Sequence, residues 1–258
     1  MFHGSLADIM GTRLDVLIIG KDECLMSLVW DEMVSEIMRL HKMLNRFDPE
    51  SDISYINTHA FSHPVKPCDE LWNILTDIGK HHRNTLGFFD VTLHDYNMVI
   101  RDEKTKTVFI ADKTISLDLG GYAKGYALAK MQQILFQYNI TQAFINFGNS
   151  SVLALGAHPH GNCWSVGLEN PLCPEKQLKV FELLDNSLST SGNTKQHTNH
   201  IVNPHSGKYA PERRLVSIVS RDCIEAEILS TALMVADEQS SEIIKSYYHN
   251  AICCIFAL

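Results

Sequence analysis

The sequence predicts an α+β fold in which mixed sheets are flanked by helices. Segments whose apolar residues recur every three or four positions indicate helices, whereas short, nearly continuous apolar runs indicate strands. The two types follow one another without the regular strand–helix–strand rhythm of a doubly wound sheet. A length of 258 residues and an apolar fraction of 45% allow one large domain, or two intimate halves, with an ample core. We therefore expect residues 1–258 to form a single compact unit.

In the first half of the chain, the sequence predicts a strand over 14–19 and then a long amphipathic helix. Apolar residues at spacings of three and four indicate this helix: Val29, Met33, Ile37, Leu40 and Leu44. Pro49 and Ser51 are expected to lie in the loop that follows. A second helix is predicted over 69–85, with Asp69 as its N-cap.

Further strands and helices are predicted in close succession. The expected strands are 106–110, 114–119, 143–147, 151–155, 164–168, 178–184, 215–220 and 251–256. The expected helices are 121–138, 224–236 and 240–248. The sequence has no internal repeat and no clear linker, which agrees with a single unit.

The most informative segment runs from Leu117 to Ala127 and reads LDLGGYAKGYA. An apolar run with one acid stops at a glycine pair and restarts as a helix that carries Lys124 near its beginning. Glycines allow a ligand to approach the backbone closely, and a helix start offers free N–H groups to a phosphate. The alternative is an ordinary strand-to-helix turn with a solvent-exposed lysine.

This segment resembles the signature of the ApbE family, the FAD:protein FMN transferases. Other blocks that resemble family motifs follow in the expected order, from about residue 9 to residue 236. They are Met10–Thr12, Phe47–Asn57, Gly87–Thr92, Ile145–Gly148 with Leu155–Gly156, Ser189–Gly192, His200–Pro204 with Gly207, and Ser230–Leu233. The resemblance implies an ApbE-like, T-fold-related architecture.

The resemblance also implies a reaction. A Mg²⁺-dependent FAD:protein FMN transferase attaches FMN through a phosphoester to a Thr or Ser of an acceptor flavoprotein and releases AMP. Such phosphoryl transfer needs a held diphosphate, a divalent cation and a positioned acceptor. Two alternatives stay open: an FAD-binding protein without transferase activity, and a Mg²⁺-dependent FAD pyrophosphatase in which water replaces the acceptor.

The resemblance implies a Mg²⁺ site made by the backbone carbonyl of Gly121 and the side chains of Glu227 and Thr231. Residues four apart share one face of a helix, so the two side chains can reach one ion. This chain has Glu227 where the family has Asp, and we expect Glu227→Asp to retain or improve activity. Asp222 and Glu225 could compete as ligands, although neither lies on the face of Thr231.

By the same comparison of positions, a set of residues is expected to contact FAD: Met10, Phe47, Phe88, Phe89, Asp90, Asp118, Lys124, Thr190, Ser191, Gly192 and Ile201. Aromatic rings there would stack on the ligand, although core packing is an equal alternative for each phenylalanine. Residues 190–192 resemble a turn that presents hydroxyl and N–H groups. His200 is a candidate general base, and a structural histidine is the alternative.

The sequence departs from the family at three further positions. Asn149 and Ser150 stand where the family has a glycine and an asparagine, and Asn203 stands where it has Asp before proline. These changes motivate the alternative of a protein that binds FAD without transferring FMN.

Charge and motif content disfavour several other functions. The formal net charge of -8 argues against nucleic acid as the main partner, and no apolar run reaches the length of a membrane span. The sequence has neither G-x-G-x-x-G nor a Walker A motif, which disfavours Rossmann and P-loop nucleotide sites. It also lacks the G-x-S-x-G elbow of serine hydrolases.

The cysteines, histidines and first residues bear on metal sites and compartment. The 7 cysteines follow no metal-binding spacing, which indicates thiols in a reducing compartment. His158 and His160 have no partner at zinc spacing, so a loop is expected there. Residues 1–12 contain Asp8 and lack the apolar core of a signal peptide. A cytoplasmic protein is expected, or an exported one whose leader has been removed.

Overall fold

The computed structural model describes residues 1–171, 173–192, 201–211 and 213–258. Its strands are β1 (Phe2–Ile9), β2 (Thr12–Ile18), β3 (Val99–Asp102), β4 (Thr107–Ile110), β5 (Ala143–Phe147), β6 (Ser151–Leu155), β7 (Trp164–Asn170), β8 (Cys173–Leu183), β9 (Asn186–Gly192), β10 (Arg214–Ser220) and β11 (Ile252–Ala257). Its α-helices are α1 (Glu23–Leu44), α2 (Asp52–His59), α3 (Asp69–Asn84), α4 (Gly120–Gln137), α5 (Cys223–Val235) and α6 (Glu238–Tyr247).

Seven strands form one sheet in the order β1-β2-β5-β6-β9-β10-β11. Every neighbouring pair in this sheet is antiparallel. The remaining strands form two hairpins, β3–β4 and β7–β8. Helices and mainly antiparallel strands are therefore combined without βαβ units, which confirms the predicted α+β class.

The central sheet separates two apolar clusters. On one face, buried residues of α1, α4 and α5 pack with those of the sheet into the main core. On the other face, a smaller cluster joins the sheet to the β7–β8 hairpin: Val152, Ala154, Trp164, Phe181, Leu183, Leu188 and Val219. Helix α5 lies against β9 and β10, so side chains on the helical face of these strands point toward it.

Polar caps determine where the first helices begin. Asp22 caps α1 by accepting a hydrogen bond from the N–H of Leu25. Ser51 lies in the loop after α1, as predicted, and caps α2, a helix that the sequence did not indicate. The thiol of Cys68 caps α3, and the predicted cap Asp69 is instead its first residue.

One predicted strand is absent from the structure, and strands β1, β3 and β9 were not predicted. Residues 114–119 form no strand, and the side chain of Asn57 hydrogen-bonds both the N–H and the carbonyl of Leu117. Strand β1 was not predicted, since its sequence alternates weakly. Residues 190–192 end β9 and pair with β10 instead of forming a turn.

In the part of the chain that the structure describes, none of the helices combines the length and the apolar character that crossing a bilayer requires.

Candidate active site

The glycine turn at the start of α4 meets one face of α5. The hydroxyl oxygen of Thr231 lies 3.4 Å from the position that a Cβ on Gly121 would occupy, and a ring carbon of Phe89 lies 3.5 Å from it. The Thr231 hydroxyl donates to the backbone carbonyl of Glu227 at 3.1 Å, which holds its orientation. The Gly121 backbone therefore lies next to the Thr231 hydroxyl. Both belong to the three residues expected to bind a metal.

A second glycine brings α4 and α5 into close contact. A Cβ on Gly125 would lie 2.6 Å from the carbonyl oxygen of Cys223 and 2.9 Å from the Cβ of Glu227. Real Cβ atoms do not tolerate such distances, so a side chain here would push the two helices apart. Gly125 thus allows its neighbour Lys124 to reach across to α5.

Lys124 and Glu227 form a buried ion pair across this contact. The Lys124 Nζ lies 2.6 Å from Oε1 of Glu227, and Glu227 is only 4% exposed. A buried charge is stable only when it is paired and hydrogen-bonded. The pair meets this condition through serines supplied by the neighbouring strands.

Serines of β6, β9 and the turn before β6 complete the hydrogen bonding of this pair. Ser151 and Ser189 donate to Oε2 of Glu227 at 2.7 and 2.8 Å. Lys124 donates to the hydroxyls of Ser150 and Ser151, both at 2.9 Å. The ammonium group of Lys124 has three N–H donors, and three oxygen atoms of the protein accept from it, so no donor is left free. Of about four acceptor positions on the carboxylate, one on Oε1 is left.

This arrangement depends on the pairing of the strands. Ser151 and Ser189 lie directly opposite each other in the β6–β9 register, so their side chains point to the same face of the sheet. The hydroxyl of Ser230 on α5 extends the cluster, at 3.0 Å from that of Ser189 and 2.8 Å from that of Ser191. A layer of hydroxyl groups thus lies between the sheet and α5.

A second ion pair lies just before α4. The Nε of Arg46 is 3.3 Å from Oδ2 of Asp118, and Oδ1 of Asp118 accepts the N–H of Gly120 at 2.9 Å. Asp118 therefore takes the place of a side-chain cap, since the N-cap residue Leu119 has none. The Arg46 guanidinium also lies over the ring of Phe47, 4.7 Å from its centroid.

The apolar residues expected to contact FAD differ in accessibility. Phe47 is 81% exposed and available to a ligand. Phe88, Phe89 and Ile201 are buried in the main core, where packing explains them, although Phe89 also borders Gly121. Met10 is half-buried in the β1–β2 turn. The next strand, β2, contacts the turn that carries Ser150, because the N–H of Gly148 donates a hydrogen bond to the Arg13 carbonyl.

Asp90 has a structural role that differs from the expected contact with FAD. Its Oδ1 accepts the N–H and the hydroxyl of Thr92, at 2.7 and 2.6 Å, and its Oδ2 accepts the N–H of Tyr96. The side chain is buried at these bonds and holds the 90–96 loop. Its oxygens are therefore already occupied by the protein.

Residues 190–192 divide between the two faces of the sheet. Ser191 faces α5, whereas the Thr190 hydroxyl bonds that of Ser217 at 2.8 Å and does not join the Glu227 cluster. Gly192 is the last residue of β9. The candidate base His200 lies outside the described residues.

The two acids near Glu227 are engaged elsewhere. Asp222 caps α5 by accepting from Ile224 and Glu225. Burial raises the pKa of the Glu225 carboxyl, with a further contribution from the charge of Asp222, and Glu225 accepts from Ser220. His158 and His160 lie in a loop, as predicted, and the described residues include no cluster of three or more His, Cys, Asp or Glu side chains that could hold a metal.

Sequence reasoning missed Arg46, Ser151 and the role of Ser189. One signal was available for the serines: residues 187, 189 and 191 are all serine, and a period of two places them on one face of a strand. Ser150 was noticed only as a departure from the family.

The chain is similar in sequence to the proteins of one family. The model of the ApbE family matches residues 10–108 and 93–256. A protein of Klebsiella pneumoniae named FAD:protein FMN transferase is 30% identical over 195 residues, which are 70% of this chain and 58% of that protein. One of Chlamydia muridarum with the same name is 24% identical over 233 residues, 75% of this chain and 71% of that protein. The match thus spans little more than half of the Klebsiella protein.

Solved structures show the same fold. The ApbE protein from Thermotoga maritima superposes with a TM-score of 0.85 at 21% identity, covering 99% of this chain and 97% of that one. The flavin transferase ApbE from Vibrio cholerae gives a TM-score of 0.84 at 18% identity, covering 99% and 92%. Together with the family match over most of its length, these findings establish that the chain belongs to the ApbE family.

Proposed function

We propose that this chain is a FAD:protein FMN transferase, as the names of its relatives indicate, and that residues 1–258 act as one unit. The observation that carries the proposal is the junction of Gly121 with Thr231 beside the Lys124–Glu227 pair. A helix start with two glycines, the N–H of Gly121 and nearby oxygen donors suits a diphosphate and the cation that accompanies it.

The groups at this junction fit Mg²⁺ in their chemistry. The Gly121 carbonyl, the Thr231 hydroxyl and the remaining acceptor position on Glu227 Oε1 are all oxygen donors, which Mg²⁺ prefers. These three groups would hold the ion, which would neutralise negative charge on the transferred phosphoryl group. Lys124, Ser151 and Ser189 would hold the Glu227 carboxylate in place.

The reaction is a displacement at phosphorus. The acceptor Thr or Ser hydroxyl attacks the phosphorus on the riboflavin side of FAD, forming the phosphoester bond. The bond to the bridging oxygen breaks, and its electron pair leaves with AMP. The acceptor proton needs a base, and we propose His200 for this role from its sequence position.

The remaining residues would position FAD. The N–H of Gly121 would face the diphosphate, since the other N–H groups of the first turn of α4 bond Asp118 and Leu119. Exposed Phe47 would stack on a ring of the ligand. Met10, Phe88, Phe89, Asp118, Ser191, Gly192 and Ile201 would line or support the cleft. Lys124 has no free donor in this structure, so we propose that it supports FAD binding through Glu227.

One assay tests the proposal. The protein is incubated with FAD, Mg²⁺ and an acceptor flavoprotein domain, and in-gel flavin fluorescence and AMP are measured. Labelled acceptor with AMP supports transfer. FMN with AMP but no label supports hydrolysis, and bound intact FAD without AMP supports a binding protein. Thr231→Val should abolish AMP release, whereas Thr105→Val, in the exposed β3–β4 turn, should not.

A further inference from the structure

The lysine expected beside the phosphates is already fully engaged. Lys124 donates to Glu227, Ser150 and Ser151, and an ammonium group has only three N–H donors. The pair that it forms with Glu227 is neutral overall. Lys124 therefore offers no free N–H to a diphosphate that reaches the start of α4, and a second cationic side chain of this chain would bind it better.

Arg46 is such a group. Its Nε is buried and lies 3.3 Å from Asp118, yet it makes no hydrogen bond. No other ion pair of Arg46 is found in the described ranges, and its side chain is 34% exposed. A guanidinium has five N–H donors in a rigid fork, so most of its donors are free to bind an anion.

The position of Arg46 is held by the surrounding chain. The hydroxyl of Ser54 donates to the Arg46 carbonyl at 3.0 Å. Asn57, on the same helix as Ser54, accepts from the N–H of Leu117 at 2.7 Å and donates to the Leu117 carbonyl at 3.0 Å. Asp118 joins Arg46 on one side and the N–H of Gly120 on the other. The carboxylate of Asp118 thus bridges the Arg46 guanidinium and the glycine turn of α4.

We propose that Arg46 binds a phosphate group of the dinucleotide substrate. This inference rests on the proposed function and names a residue that the sequence analysis did not include. A guanidinium binds phosphate through two parallel charge-assisted hydrogen bonds. Gly121 is the second residue of α4, so its N–H has no partner within the helix and faces the same ligand.

A purely structural role, as counter-ion of Asp118, explains the geometry less well. About a third of each side chain is exposed, and ion pairs with that exposure contribute little to stability. The buried Nε without a hydrogen bond shows that the pair is not optimised for Asp118 alone. A ligand would bind the exposed end of the guanidinium, whose N–H donors Asp118 leaves free.

Ligands with and without phosphate test the proposal. Dissociation constants for FAD, ADP and riboflavin are measured by calorimetry for wild type, Arg46→Met and Arg46→Lys. We expect Arg46→Met to weaken FAD and ADP at least about tenfold and to leave riboflavin unchanged. Arg46→Lys keeps the charge but loses the fork, so a smaller, several-fold loss for FAD and ADP is expected. If Arg46→Met does not fold, Arg46→Lys carries the test.

The control is Arg13→Met, since Arg13 also pairs with an aspartate but is 63% exposed. Unchanged FAD affinity in the Arg46 variants, or an equal loss for riboflavin, overturns the inference while the proposed function stands. A wild-type protein that does not bind FAD overturns both.

Discussion

Lys124 of α4 and Glu227 of α5 form an ion pair between the two helices, with the lysine Nζ 2.6 Å from Oε1 of the glutamate. Their contact joins three parts of the fold, because Ser151 from β6 and Ser189 from β9 complete it. Through these hydrogen bonds, the side chain of Glu227 connects α5 to both strands.

Glu227→Asp is expected to lower turnover, which revises the sequence-based expectation that it would retain or improve activity. The shorter side chain withdraws the carboxylate from Ser151 and Ser189, and a small misplacement of a catalytic group is costly. We expect kcat/KM for AMP release to fall roughly tenfold to a hundredfold. Glu225→Asp on the same helix serves as control. Turnover in Glu227→Asp equal to wild type would show that the two serine contacts do not matter for activity.

Lys124→Met is expected to destabilise the protein by about 3–5 kcal/mol, because it leaves the buried Glu227 carboxylate without its cation. Urea unfolding measures this change. The double variant Lys124→Met, Glu227→Met should recover much of the loss, since both charges are then removed.

The matched control is Lys130→Met on the same helix. Lys130 also pairs with a glutamate, Glu70, at 3.3 Å, but both side chains are more exposed. A change of about 0–1 kcal/mol is expected there. Equal losses in Lys124→Met and Lys130→Met would contradict the importance of burial at the first pair.

Gly125→Ala separates helix propensity from packing. Alanine favours a helix over glycine by about 1 kcal/mol, so an unhindered site would be stabilised. Here the new Cβ would meet the Cys223 carbonyl and the Glu227 Cβ, and we expect a net loss of about 1–3 kcal/mol together with lower FMN transfer. Thermal unfolding and the AMP assay measure both. Gly161→Ala, whose Cβ would have only one neighbour at 3.7 Å, is the control, and a more stable Gly125→Ala would refute the clash.

Much of the fold could be predicted because local patterns determine it. The spacing of Val29, Met33 and Ile37 indicates α1, and the glycine pair before Tyr122 marks the start of α4. Segment 114–119 was misassigned as a strand. The backbone of its central residue Leu117 bonds the side chain of Asn57, a partner 60 positions away that no local pattern indicates.

The sequence alone could indicate which side chains lie close together only where one segment carries them all. Glu227 and Thr231 share a helical face by spacing alone. The hydrogen bonds from Ser151 and Ser189 to Glu227, in contrast, depend on strands β6 and β9 lying side by side, which is a property of the sheet order. The structural use of Asp90 likewise becomes visible only from the folded 90–96 loop.

Glu70 provides a prediction for pH. Burial alone would raise the pKa of its carboxyl, but hydrogen bonds from Arg39 on α1 and Tyr126 on α4 hold it at about 2, below the ordinary value of 4.5. A lowered pKa in the folded state means that the carboxylate stabilises the protein above the unfolded pKa, and that this contribution is lost as pH falls from about 4.5 toward 2. We therefore expect Glu70→Gln to be less stable than wild type at pH 7, and the difference to shrink steadily over that window in urea unfolding. Glu242→Gln, in an exposed pair with Lys245, should show no such dependence. A Glu70→Gln difference that stays constant from pH 7 to pH 3 would mean that packing, and not charge, accounts for the contribution of Glu70.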